Sequence, residues 1–406
     1  MKSTTKNRGY LPRNNPILLL VVLCGLFVMP TAWSQGISPR SPAEKALLNQ
    51  NAVGLATGGP GGTYSRMGVD LSTLLNNPSR TDPFRVVVSL SQGSVNNIQD
   101  LFDLRNIDLA IVQSDVLEAF SPTEDARDEL RKRFRLIAPL HREEIHILGR
   151  AIHSLEGLEG KRVNIDAPGS GTQITARHLF AQLNIHPQFT EMTSLQARDA
   201  LLGGQIDALV YVVGRPADLF KGISGEKAMQ ADLSFVPIDR TVQNIDEYGP
   251  AQLTSDDYPN LIGQNETVPT RAVTAVMAVY AWSPQQNPVR YLAAKRFVER
   301  FFDHAGELSH SGFSKSWCAV DLGKSVLGWQ RFEPAADWLS AHPGGPTRLC
   351  AAAGSQCECA PEPPDLNACQ EHFQAYYKSQ GLPIPNVTLP IVRPIFEEWK
   401  QRNPNC

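Results

Sequence analysis

The feature that most constrains this chain is one unit used repeatedly: a short apolar strand, a turn of Gly, Ser or Thr, and an amphipathic helix. The first copy starts with Ala52-Val53-Gly54-Leu55-Ala56 and turns through Gly58-Gly59-Pro60-Gly61-Gly62-Thr63. Tyr64, Met67, Gly68, Leu71, Leu74 and Leu75 then recur on a helical period, with Thr63 as a natural N-cap. A second strand, Phe84 to Leu90, leads through Gln92-Gly93-Ser94 into a helix presenting Ile98, Leu101 and Leu104. A third, Asp108 to Val112, runs into Gln113-Ser114-Asp115 and the next helix. The pattern restarts with strand Arg162 to Asp166, the turn Gly169-Ser170-Gly171-Thr172-Gln173, and a helix bearing Ala176, Leu179, Phe180 and Leu183. A further strand, Asp207 to Val213, ends at Gly214-Arg215-Pro216. Such alternation predicts an α/β fold with mainly parallel sheets whose strand ends share one edge.

The turns carry the chemistry. A helix N-terminus offers unpaired N–H groups and a partial positive charge, so a Gly/Ser/Thr turn leading into it suits an anion. In open α/β sheets, ligands sit beyond the carboxyl ends of the strands, where these turns fall. A single such turn is usually only a well-capped helix; several, divided between two α/β segments, can converge on one small anionic ligand. Nucleotide motifs are excluded residue by residue. A phosphate-binding loop needs Lys after its glycines, but Gly62 is followed by Thr63-Tyr64-Ser65, and Tyr64 stands where the dinucleotide fingerprint needs a glycine.

The N-terminus reads as an export signal. Lys2, Lys6, Arg8 and Arg13 precede an apolar run from Ile17 to Met29, and Ala32-Trp33-Ser34 precedes Gln35, the order a signal peptidase requires. The run is short of the roughly 20 residues that span a bilayer, so cleavage near Ser34 and a periplasmic location are expected. Cys24 is followed by more apolar sequence and goes with the signal. The remaining cysteines, Cys318, Cys350, Cys357, Cys359, Cys369 and Cys406, all lie toward the C-terminus, and an even number in an exported chain favours disulfides over a metal site. The 41 acidic and 38 basic residues nearly balance, which leaves no electrostatic footprint for nucleic acid. A catalytic reading fails at its best candidate, His141-Arg142-Glu143-Glu144-Ile145-His146: the histidines are five apart in a strand-like stretch, not four apart on a helix. No nucleophile elbow accompanies Gly169-Ser170-Gly171 either. No enzymatic activity, cofactor or metal is expected.

Taken together, Gly58 to Ser65, Gly93-Ser94-Val95-Asn96-Asn97, Ile107-Asp108-Leu109-Ala110 with Gln113-Ser114-Asp115, Leu158 to Val163, Gly169-Ser170-Gly171-Thr172, and Ile206-Asp207-Ala208 with Gly214 and Pro216 form an ordered series. In that order the chain resembles the TAXI-type solute receptors of tripartite ATP-independent periplasmic (TRAP) transporters. The resemblance implies a periplasmic-binding-protein-like fold: two α/β lobes joined by a two-strand hinge, here with a Cys-rich C-terminal extension. Lobe I would take residues 35–140 and 269–315, lobe II residues 141–268, and the disulfide-stapled extension residues 316–406, in which Trp317-Cys318 and Trp329 to Trp338 look helical and could pack on lobe I. It further implies capture of a small anionic solute, glutamate, glutamine or a related dicarboxylate, and delivery to TRAP membrane permease subunits. The cleft groups would be Tyr64, Ser94, Gln113 and Ser114 from lobe I, and Ser170, Gly171, Thr172, Gln173, Tyr211 and Gly214 from lobe II. Glu143 or Glu144 would lie near the cleft mouth, and Arg215 would either meet a carboxylate or sit solvated. The alternative is a periplasmic sensor or scaffold of the same fold, its extension docking another exported protein.

Overall fold

The strand-like stretch around His141–His146 belongs to a single strand of 17 residues, Phe134–Arg150. Pro139, which argues locally for a break, is accommodated by a slip in pairing: Thr274 faces Arg142 but Val276 faces Pro139, so one extra residue is inserted beside it. The computed structural model describes residues 40–349, apart from 77–83, 120–122, 240–247, 311, 327 and 344–348. The expected signal segment and Cys350, Cys357, Cys359, Cys369 and Cys406 lie outside the described residues, whereas Cys318 is disulfide-bonded.

The first half of the chain runs α1 (Pro42–Gln50), β1 (Ala52–Ala56), α2 (Thr63–Leu75), β2 (Arg85–Ser89), α3 (Ser94–Asp103), β3 (Leu109–Gln113), α4 (Ser114–Ala119), α5 (Glu124–Arg133) and β4 (Phe134–Arg150). It continues with β5 (Arg162–Asn164), α6 (Gly171–Leu183), β6 (Gln188–Thr190), α7 (Ser194–Leu202), β7 (Ala208–Val213), α8 (Asp218–Lys221), α9 (Gly225–Gln230) and β8 (Leu233–Phe235). The return comprises β9 (Gly249–Thr254), β10 (Thr267–Tyr280), α10 (Pro288–His304) and α11 (Glu333–Ala341).

These strands form one sheet in the order β2-β1-β3-β10-β4-β7-β5-β6, with β8 on β4 and β9 on β10. Pairs within the strand–turn–helix units are parallel, as the repeats require: β1 with β2 and β3, and β5 with β6 and β7. The long strands are antiparallel to their neighbours. β4 pairs with β10 through residues 134–144 and with β7 through residues 144–149, so it leaves lobe I and enters lobe II at Glu144. Each lobe buries apolar side chains on both faces of its part of the sheet, as a parallel sheet covered by helices must.

The two lobes register their central strands with the same device. Asp108, fully buried before β3, accepts from the backbone N–H of Gly54 in β1 (2.9 Å) and forms an ion pair with Arg290 of α10. Asp207, before β7, accepts from the backbone N–H of Arg162 in β5 (2.9 Å) and pairs with the same residue's guanidinium (2.7 Å). The Ile-Asp pairs at 107–108 and 206–207 are therefore framework.

The lobe I core extends past residue 315, the limit expected for it. Trp317, Val320, Leu322, Phe332 and Ala335 are buried in the cluster that holds Phe297, Phe301 and Phe302 of α10. Trp317 Nε1 donates to Asp70 of α2 (2.8 Å). Residues 316–341 thus complete a helical layer that α10 alone leaves open. Trp317→Ala should lower stability by about 3–5 kcal/mol, the usual cost of deleting a buried aromatic, measured by urea unfolding followed by circular dichroism.

Candidate functional site

The repeated turns bring two helix starts together across the lobe junction. α6 of lobe II begins at Ser170, whose Oγ caps the N–H of Gln173 (3.2 Å), and α3 of lobe I begins at Gly93. Asn96 N–H donates to Gly169 O across the junction (3.3 Å). Gly93 has φ 129°, and a Cβ there would lie 3.3 Å from Ser170 Cα and 3.4 Å from Gly171 N. A Cβ on Gly171 would overlap the amide of Gln113 and crowd Ser94 Oγ. Gly93 thus adopts a backbone conformation that L side chains rarely take, and the space a side chain at Gly171 would need is held by Gln113.

Beside this contact lies a buried polar cluster on the crossing strand. The Tyr64 hydroxyl, at the start of α2, donates to Glu143 Oε2 (2.6 Å), while Glu143 Oε1 stands 3.6 Å from His141 Nε2. The His141 ring meets the Tyr64 ring edge-on with centroids 6.1 Å apart. His141 and Glu143 are 2% and 3% exposed. The inserted residue in β4 falls between Pro139 and Arg142, so the bulge aims this pair. Burial, then the adjacent Glu143 carboxylate, pushes the Tyr64 phenol well above its ordinary value, keeping it a donor.

A second carboxylate spans the junction. Asp115, at the start of α4 in lobe I, accepts from Thr175 Oγ1 of α6 (2.6 Å) and from the Tyr248 hydroxyl (3.2 Å). Burial raises its carboxyl from 3.8 to about 6 despite these donors. Asp166, held at φ 69° beyond β5, is likewise raised by burial, and Tyr211 of β7, desolvated near Asp166 and Glu143, is raised to about 12.

Of the residues expected in the cleft, the structure brings Tyr64, Ser94, Gln113, Ser170 and Gly171 to the junction, with Gly214 against the His141 ring. Ser94 Oγ accepts from the Gln113 backbone N–H (3.0 Å), while Ser114 is half-buried at the start of α4. Two of the expected groups are turned elsewhere. Thr172 Oγ1 accepts from Val212 N–H of β7 (3.0 Å), and Gln173 Nε2 donates to Glu191 at the outer rim (2.7 Å). Glu143 and Glu144 are buried rather than placed at a mouth, because the strand carrying them is covered by both lobes. Arg215 is engaged by Asp257 (2.6 Å) and by Glu144 Oε1 (3.7 Å). His146 belongs to the framework: its Nδ1 lies 2.8 Å from Glu144 O, and its Nε2 accepts from Tyr258 (2.7 Å). Sequence reasoning missed His141, Asp115 and Asp166. The one signal for His141 was its spacing of two from Glu143 in a strand, which puts both on one face. A separate depression of about 290 Å³, lined in part by Arg215, Asp239, Gln252, Thr270 and Arg271, is lined by none of Tyr64, Ser94, Gln113, Asp115, His141 and Glu143.

Two outcomes test this geometry. Gly93→Ala should hold the lobes apart, increasing the radius of gyration measured by small-angle X-ray scattering. For Asp115, the raised value means that the folded protein binds the proton more tightly than the unfolded chain. Its carboxyl therefore imposes no penalty below about pH 4, and one that grows as pH rises to about 6. Asp115→Asn keeps an acceptor and removes the charge, so its melting temperature relative to the parent should increase over that interval.

The architecture, two α/β lobes bridged by two long strands with helix starts gathered at the junction, is periplasmic-binding-protein-like. Several solved structures are similar to this chain. One is the ligand-binding component of an ABC-type import system from Staphylococcus aureus, at 13% identity over 72% of this chain and 92% of that one, with a TM-score of 0.40. Another is a putative sulfonate-binding protein from Methylobacillus flagellatus, at 10% identity over 81% and 87%, with a TM-score of 0.36. A third is the GluR0 ligand-binding core from Nostoc punctiforme in complex with L-glutamate, at 17% identity over 62% and 98%, with a TM-score of 0.35. With every TM-score here below 0.5, the fold rests on the topology above. The model of one protein family matches residues 55–311, which span both lobes and the crossing strands, and the chain belongs to that family, the NMT1-like family.

Proposed function

We propose that this chain is an exported solute receptor of TAXI type, which captures a small solute between its lobes in the periplasm and delivers it to a TRAP membrane permease. The observation that carries this reading is the lobe junction itself. Each lobe has its own apolar core, yet the surface where they meet is lined by buried polar side chains, Tyr64, Ser94, Gln113, Asp115, His141 and Glu143. A junction built only for stability would be apolar, since buried polar groups add little and cost much when unpaired. A ligand gripped by both lobes would favour the closed arrangement through contacts that the open one lacks. Glutamate or glutamine would set a carboxylate at the starts of α3 and α6. The cysteines beyond residue 349 would staple the C-terminal extension by disulfides.

Titration calorimetry of the mature protein with L-glutamate, L-glutamine and dicarboxylates tests this. Binding is expected, weakened by up to about tenfold in Tyr64→Phe and in Ser170→Ala, as for loss of one hydrogen bond. Absence of binding by any small solute, together with unchanged behaviour of both variants, would remove the receptor reading.

A further inference from the structure

Cys318 is disulfide-bonded, and every other cysteine of the chain lies outside the described residues, so its partner does too. The place of Cys318 in lobe I narrows the choice. It belongs to the short turn Lys315–Ala319, fixed by its neighbour Trp317, which is fully buried and donates through Nε1 to Asp70 of α2 (2.8 Å). Two residues on, Val320 is buried in the same core, and its carbonyl accepts from the backbone N–H of Leu349 (3.2 Å). The Leu349 side chain is buried in that core as well. The chain beyond α11 thus returns to within a hydrogen bond of the segment that carries Cys318. Cys350 follows Leu349 directly, whereas seven residues intervene between Leu349 and Cys357, the next cysteine. Consecutive Cα atoms are only about 3.8 Å apart. Bringing a more distant cysteine to Cys318 means closing a further loop, at an entropic cost that a cysteine next to an anchored residue does not carry.

We propose that the partner of Cys318 is Cys350, so that the segment bearing α11 is closed into a covalent loop on lobe I. The bond forms as the two thiols give up two electrons and two protons to a disulfide oxidant, which is released as its dithiol. That oxidant belongs to the exported compartment, so the inference rests on the export proposed above. The loop holds Phe332 and Ala335, which bury themselves in the lobe I core, and the cross-link restricts this segment in the unfolded chain before the core has formed. Cys357, Cys359, Cys369 and Cys406 are then left as an even set for the extension itself. Lobe II, residues 141–268, contains no cysteine, so no disulfide attaches to it.

Peptide mapping by mass spectrometry decides the point on the full mature protein, isolated from the periplasm of an expression host, alkylated, and digested without reductant. A peptide joining Cys318 to Cys350 is expected. Cys318→Ser and Cys350→Ser should each lower the melting temperature by about 5–10 °C, and the double variant by no more than either single change, because both remove one bond. A peptide joining Cys318 to Cys357, Cys359, Cys369 or Cys406, or losses that add in the double variant, overturns the pairing and leaves the export reading standing. Free thiols at all six positions overturn both. The mapping needs no variant, so it decides even where a serine variant fails to fold.

Discussion

The pairing of β4 with β10 is the constraint on which the rest of the molecule depends. Both strands are too long to belong to one lobe, and both run antiparallel to neighbours whose own pairs are parallel. β4 gives up β10 and takes β7 at the same residue, Glu144, opposite Ala272. A rotation of one lobe against the other would have to pass through that pair of positions, where β4 changes partner. The bulge beside Pro139 lies next to this crossing. A bulge increases local twist and re-aims the side chains that follow it, which is how a strand buried in both lobes presents His141 and Glu143 to the junction between them.

The lobes anchor to this axis with matched chemistry of unequal strength. In lobe I, Asp108 is sealed beneath Arg290, so removal of either partner would strand a buried charge. In lobe II, Arg162 and Asp207 make the same backbone connection, but their side chains are 45% and 28% exposed, where solvent screens an ion pair and leaves it little net contribution. The buried version coincides with the lobe that carries α10, Trp317 and α11 as an additional layer.

What the sequence made legible was local. Alternating strands and capped helices are written in consecutive residues, so the units Ala52–Leu75, Phe84–Leu104 and Gly169–Leu183 could be placed closely, and Tyr64, Ser94, Ser170 and Gly171 came with them as helix starts. The roles that were misjudged depend on partners distant in sequence. Thr172 looks like a cleft donor until β7, 40 residues on, offers it Val212 N–H. His141 and Asp115 were hidden for the same reason: their burial is set by the register of β4 and by the approach of α6, neither of which is encoded within a few residues of them.

The closed junction holds its polar groups at a cost. Each buried donor or acceptor without a partner forfeits about 1–3 kcal/mol relative to the hydrated state. Gln113 and His141 pay this in the closed arrangement, whereas opening the lobes would return them to water. The carboxyl of Asp115 adds to the cost whenever it is ionised, since its donors from Thr175 and Tyr248 do not offset its burial. Against these stand the interlobe bonds at Asn96, Thr175 and Tyr248 and the half-exposed Arg66–Asp218 pair. Opposing terms of this kind are what a ligand with differential affinity for two arrangements of the lobes would act on. The side chains that are costly to bury unpaired are thus those through which a ligand held by both lobes would act.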